Sequence, residues 1–136
     1  MALKLTQLKG IGEDRARKLK EAGIGSVTQL LEKGGTAEGR KELAGKIADM
    51  TPSAILEAVN RADLTRIKGV STQYSNLLEV AGVDTVKELA QRNAANLHKA
   101  LSEANERVGL VKRVPTAKDV ESWVAQAKDM PRKIFY

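Results

Sequence analysis

Few side chains in this sequence could do covalent chemistry. The 136 residues contain one histidine, His98, and no cysteine. Without cysteine there are no disulfides, no thiolate metal sites and no cysteine nucleophile. His98 lies in the polar stretch Asn96-Leu97-His98-Lys99-Ala100, and no dense cluster of metal-ligating residue types accompanies it. Glu103 and Glu106 fall three residues apart on one helical face, as solvated surface carboxylates do. Serine and threonine are common, but none has the context of an activated nucleophile. No glycine cluster is followed by Lys-Ser/Thr in the manner of a phosphate loop. The expectation is a non-enzymatic protein with no metal and no cofactor.

The chemistry this sequence does offer is backbone capture of phosphate. Leu5, Leu8, Gly10, Ile11, Gly12, Ala16 and Leu19 recur at spacings of a helix, a tight turn and a second helix. Leu5 and Leu8 would face Ala16 and Leu19, and Ala16 is small enough for close helix approach. Gly10 and Gly12 permit the turn. Free amides at the start of the second helix could then hold a phosphate oxygen. Lys9, Arg15 and Lys18 are the cations that could assist. Glu13 and Asp14 stand in the same first turn. They favour the helix dipole but repel an approaching anion.

A second copy of this pattern lies 59 residues on. Leu5–Leu30 aligns without a gap to Leu64–Leu89, with nine identical pairs: Leu5/Leu64, Thr6/Thr65, Lys9/Lys68, Gly10/Gly69, Leu19/Leu78, Ala22/Ala81, Gly23/Gly82, Val27/Val86 and Leu30/Leu89. The matches fall on apolar and glycine positions, as a duplicated structural unit requires. In the second copy Arg66, Lys68, Gly69, Val70 and Ser71 form the candidate turn. Ser71 replaces the second glycine and can cap a helix. Thr72-Gln73-Tyr74 follows without charge. The first turn therefore has the freer backbone and the second the more favourable local charge. Further on, Ser53–Val59 matches Lys118–Val124 at an offset of 65. The second copy thus carries an insertion, placed at Val108–Pro115.

Stepping from turns to elements, the start signals are helical. Ser26-x-x-Gln29 and Thr85-x-x-Glu88 read as capping boxes at equivalent repeat positions. Thr51-Pro52 and Thr116-x-x-Asp119 are further starts. Gly23 and Gly82 suit the left-handed residue that ends a helix, and Gly34-Gly35 reads as a chain break. Apolar residues recur every three or four positions, as in Ile55, Leu56, Val59 and Ala62. No useful segment alternates as a strand would. The expectation is all-α, with four or five short helices per repeat and boundaries of 1–63 and 64–136. The joint near Arg61–Leu64 lacks linker composition, so the units are expected to pack together.

The pattern resembles the helix-hairpin-helix motif of nucleic-acid-binding proteins. Taken with its duplicate, the chain resembles an uncharacterised bacterial and cyanobacterial family of tandem helix-hairpin-helix proteins. The resemblance covers both turns and the helix after each. It implies an all-α fold of two tandem helix-hairpin-helix (SAM-like) units of short helices packed together. It also implies contact with nucleic-acid backbone, duplex DNA or another polyanion, independent of base sequence.

Composition bounds that reading. The net charge is +6, from 23 basic and 17 acidic residues. Residues 1–63 hold 11 bases and 9 acids, or +2; residues 64–136 hold 12 and 8, or +4. The second half is the better polyanion surface, around Arg107, Lys112 and Arg113. Aromatic residues are only 3%, which disfavours base-stacking capture of single strands. No apolar run approaches the roughly 18 residues of a membrane span, and no secretory signal is evident. A cytoplasmic setting is expected. Trp123 lies on the Val120–Val124–Ala127 stripe and reads as core, while Tyr74 either packs or sits beside the second turn. The tail Ile134-Phe135-Tyr136 either folds back onto its own core or docks on a protein partner or second subunit. In that alternative the hairpins are structural and the chain is an interaction or assembly module.

Overall fold

Seven of the helices begin at a side-chain cap, Thr51 before Pro52 among them. In the computed structural model, which describes residues 4–8 and 10–136, eight α-helices follow a single 3-10 turn, Leu5–Gln7. They are α1 (Gly12–Glu21), α2 (Val27–Gly34), α3 (Ala37–Lys46), α4 (Pro52–Leu64), α5 (Thr72–Val80), α6 (Val86–Ala90), α7 (Ala94–Val108) and α8 (Ala117–Lys128). Ser26, Thr36, Ser71, Thr85, Asn93 and Thr116 each accept an early helix amide on the side-chain oxygen. Among the described residues there is no strand. The chain is all-α.

The chain divides into two units: 1–63 with 133–136, and 64–132. Lys133–Tyr136 therefore group with the first unit and not with the second repeat. The physical reason is Ile134, which is buried in the first core. That core is built from Leu8, Leu19, Leu30, Leu43, Ile47, Ile55 and Val59, all nearly or wholly enclosed. The second is built from Leu64, Leu77, Leu78, Leu89, Leu97, Leu101, Val120 and Trp123.

The duplication is visible bond by bond. Leu8 and Ile11 donate to the carbonyls of Leu5 and Leu8; Ile67 and Val70 donate to those of Leu64 and Ile67. Ile24 donates to Leu19 and Val83 to Leu78, both at 2.8 Å, closing the same helix-ending turn. Gly10 and Gly69 have φ of 90° and 97°; Gly23 and Gly82 have 93° and 94°. Gln29 and Glu88 reach back to the amides of Gly25 and Asp84, one residue before the cap. Equivalent core positions need not match in size: Ala58 in the first unit stands where Trp123 stands in the second, and both are buried.

Two local expectations are refined. The insertion in the second copy is shared between a helix and a loop. α7 has 15 residues where α3 has 10, and its connection to α8 runs 109–116 where the first unit uses 47–51. Gly34-Gly35 is a break, as expected, and also a close approach. Gly34 ends α2, and a Cβ there would fall on the Val59 side chain; a Cβ at Gly35 would fall on the Lys133 carbonyl.

Candidate nucleic-acid interface

In the first turn, Gly10 and Gly12 are exposed with positive φ, and nothing stands within 4 Å of a Cβ added at either. Ile11 between them is buried. The backbone is open as the sequence suggests. The cations are not. Arg15 donates to the Gly10 carbonyl at 2.6 Å, to the Asp49 carboxylate at 3.2 Å and to the Asp49 carbonyl at 3.2 Å. Lys18 pairs with Asp14 at 3.1 Å and with Asp49 at 3.3 Å, and Arg17 pairs with Asp14. These partners raise the Lys18 pKa, Asp14 most and Asp49 next. Arg15 in turn holds the Asp49 carboxyl below its ordinary range. Lys9 lies outside the described residues.

The second turn is the reverse case. Its backbone is braced from α8. Gln126 accepts the Lys68 amide at 2.8 Å and donates to the Lys68 carbonyl at 3.1 Å. The Trp123 indole nitrogen lies 3.1 Å from where a Cβ on Gly69 would stand. Val70 is buried, and Arg66 is half-buried with its Nη2 enclosed. At the start of α5, Thr72 is buried and Gln73 exposed. There Ser71 spans the first turn by accepting from Tyr74 at 3.2 Å, and the amides of Thr72 and Gln73 have no carbonyl one turn earlier in the helix.

Beside that helix start lies a cleft of about 510 Å³, lined by Ser71, Gln73, Tyr74 and the loop Gly109–Arg113. The loop is fixed at two points. The Asn105 amide accepts from the Val111 N–H at 3.0 Å and donates to its carbonyl at 2.9 Å. The Tyr74 hydroxyl donates to the Arg113 carbonyl at 2.9 Å, and its ring packs against Trp123 with centroids 5.4 Å apart. Gly109, left-handed at φ 60°, starts the loop by ending α7. Lys112 and Arg113 are exposed, and no acidic residue lines the cleft. Among the described residues Lys68, Lys112 and Arg113 form no ion pair, whereas Arg15, Arg17 and Lys18 beside the first turn all do. Arg113 acts at longer range on Asp119. That carboxyl is held below its ordinary range chiefly by the Thr116 amide, then by the Thr116 hydroxyl, with Arg113 a smaller influence.

A second cleft, of about 550 Å³, lies in the first unit between Leu5-Thr6 and α1. Lys4, Ala16, Arg17 and Lys20 also line it. The tail residues expected to meet a partner are divided: Ile134 is buried in the first core, while Phe135 and Tyr136 are 51% and 71% exposed. Among the described residues no three of His, Asp and Glu come together where they could hold a metal ion. His98 is half-buried on α7. No described helix is long and apolar enough to cross a membrane.

Asp49, Gln126 and Asn105 act on the two turns without having been singled out by sequence. Asp49 lies 34 residues from Arg15, and Gln126 lies 58 from Lys68. No local pattern announces either pairing. Asn105 could have been suspected, because Gly109 follows four residues later and the helix must end there.

An all-α chain built as a duplicated pair of short-helix units is the class these observations define. The chain belongs to DUF4332, described as a domain of unknown function, whose family model matches residues 9–130. No curated protein and no solved structure gave a match.

Proposed function

We propose that this protein is a non-enzymatic binder of nucleic-acid backbone, duplex DNA by preference, with its main contact face in the second unit. On this reading both duplicated turns are helix-hairpin-helix motifs. The first helix of each is reduced, to a single 3-10 turn at Leu5–Gln7 and to hydrogen-bonded turns at Leu64–Val70. The observation that carries the reading is the cleft at the start of α5. The first turn of α5 at Ser71 and Gln73 and two cations on a pinned loop line it, with no carboxylate in its lining. Phosphate oxygens suit amides at a helix start, and Lys112 and Arg113 supply attraction. The first turn offers an open backbone at Gly10 and Gly12, but Asp14 and Asp49 neutralise Arg15 and Lys18. It is the weaker contact.

The test is a salt titration of binding to a fluorescent duplex of mixed sequence, with single-stranded DNA and RNA alongside. Affinity should fall linearly on a log–log plot, with a slope of about −0.9 per phosphate neutralised. Lys112→Glu with Arg113→Glu should lower affinity at least tenfold, while Arg15→Ala should change it less than threefold. No binding at low salt, or binding indifferent to salt, would overturn the proposal.

A second reading, a protein-interaction module, is favoured by one observation. Phe135 and Tyr136 stand exposed at the end of a tail that is itself anchored.

A further inference from the structure

The last four residues enter the first unit as an extended peptide would enter a receptor. Ile134 is 3% exposed and belongs to the core that contains Leu31 and Val59. On either side of it the backbone is gripped. The Phe135 amide donates to the Gly35 carbonyl at 2.6 Å. Arg40 is a buried arginine, 5% exposed. It donates to the Gly34 carbonyl at 2.9 Å and to the Phe135 carbonyl at 2.8 Å. Its guanidinium carbon also lies 5.9 Å from the centre of the Tyr136 ring. The Lys133 carbonyl approaches Gly35 so closely that no side chain could stand there. The seat is thus shaped for a passing backbone, with one apolar pocket and one fixed guanidinium fork.

We propose that this seat, formed by Gly34, Gly35 and Arg40, is a receptor for an extended Lys-Ile-Phe-Tyr segment that a second copy of this chain can supply. The occupant is argued from the chain itself. The seat and its ligand lie 95 residues apart in sequence, from Arg40 to Phe135, so no local chain continuity dictates which copy supplies the occupant. The piece to be detached is short, four residues, with Ile134 its buried side chain and the bonds from Phe135 to Gly35 and from Arg40 to Phe135 among its contacts. No helix runs into it: α8 ends at Lys128, and the non-helical Met130-Pro131-Arg132 precedes it. Pro131 disfavours helix in the connecting stretch. Exchange of a terminal element between identical chains keeps every native contact and changes only which copy provides it.

Complementation between two full-length variants tests the proposal. Ile134→Asp spoils the ligand and leaves the seat intact. Gly35→Ala blocks the seat and leaves the ligand intact. Each alone should run as a monomer in size-exclusion chromatography with light scattering. An equimolar mixture at high concentration should form a heterodimer, in which the first chain's seat holds the second chain's tail. A mixture that stays monomeric overturns the proposal. Should either variant fail to fold, Ile134→Ala and Arg40→Ala replace them in the same mixture. As an independent measurement, a synthetic peptide of residues 130–136 is titrated into the full-length Ile134→Ala chain. It should raise the melting temperature by several degrees, and the same peptide with Ile134 replaced by Asp should not. Equal effects of the two peptides, or no effect of either, would also overturn it.

Discussion

Single carboxylates decide which cations this protein can present. Asp49 sits between Arg15 and Lys18, and its folded pKa is depressed, first by the hydrogen bond from Arg15. A carboxyl that ionises more easily when folded stabilises the fold above its unfolded pKa, near 4. That contribution is lost as pH falls through the lower folded value. Glu42 behaves alike, with Lys33 as the main cause and Lys46 adding to it. The urea midpoint of unfolding should therefore drop as pH is lowered below about 4, and Asp49→Asn should flatten that slope. An unchanged slope in the variant would show the pairing to be without effect. The pair is exposed, so its effect at neutral pH should be small. The two turn glycines give a second contrast at this scale. Gly10→Ala and Gly69→Ala both place a side chain at positive φ, a cost of about 1–2 kcal/mol each. Only at Gly69 does the new methyl also meet Trp123, at 3.1 Å. Gly69→Ala should therefore be the more destabilising of the two in chemical denaturation. Equal losses would mean that the indole moves aside freely.

At the scale of elements, the starts of helices were legible and their partners were not. Ser26, Thr85 and Thr116 are readable as caps because each hydroxyl is followed three residues on by a polar side chain that can return the bond, though Gln29 and Glu88 take the amides of Gly25 and Asp84 and not those of the caps. Thr116 and Asp119 complete that exchange in both directions at the start of α8. Thr116→Ala should cost about 1 kcal/mol, seen as a lower denaturation midpoint by the fluorescence of Trp123, which α8 carries. The glycine pairs Gly10/Gly69 and Gly23/Gly82 were legible because backbone conformation is a local property. What no local pattern carries is which distant side chain braces a turn. The sequence suggested a freer backbone in the first turn, and the open space at Gly10 and Gly12 agrees. It gave no sign that Gln126 would hold Lys68 on both sides, or that Asp49 would reach Arg15. Gly34 and Gly35 do end a helix, as expected, but their second use has no local sign. That use is to admit Val59 and the Lys133 carbonyl, and a close approach from far along the chain leaves no mark beside the glycine.

At the scale of the molecule, charge and connectivity are arranged unit by unit. The +6 balance is less telling than its placement, since ion pairs consume the cations of the first turn and leave Lys112 and Arg113 open in the second unit. The tail ties a short piece of late sequence into an early core. Removing Lys133–Tyr136 should destabilise the first unit by about 1.5–3 kcal/mol through the lost burial of Ile134. Faster amide exchange at Leu31 and Leu43 would register this, with Trp123 fluorescence in the second unit unchanged. Slow exchange persisting in the truncated chain would show that the first core closes without Ile134. The same connectivity sets an order in time. A ribosome makes all of residues 64–132 between the two pieces of the first unit, so the unit begun first is finished last. From residue 63 to residue 133 is 70 residues, or roughly 4–14 s at about 5–20 residues per second. Throughout that interval a nascent chain carries an Ile134 seat that its own sequence has not yet supplied, while finished copies nearby already hold the segment that fits it.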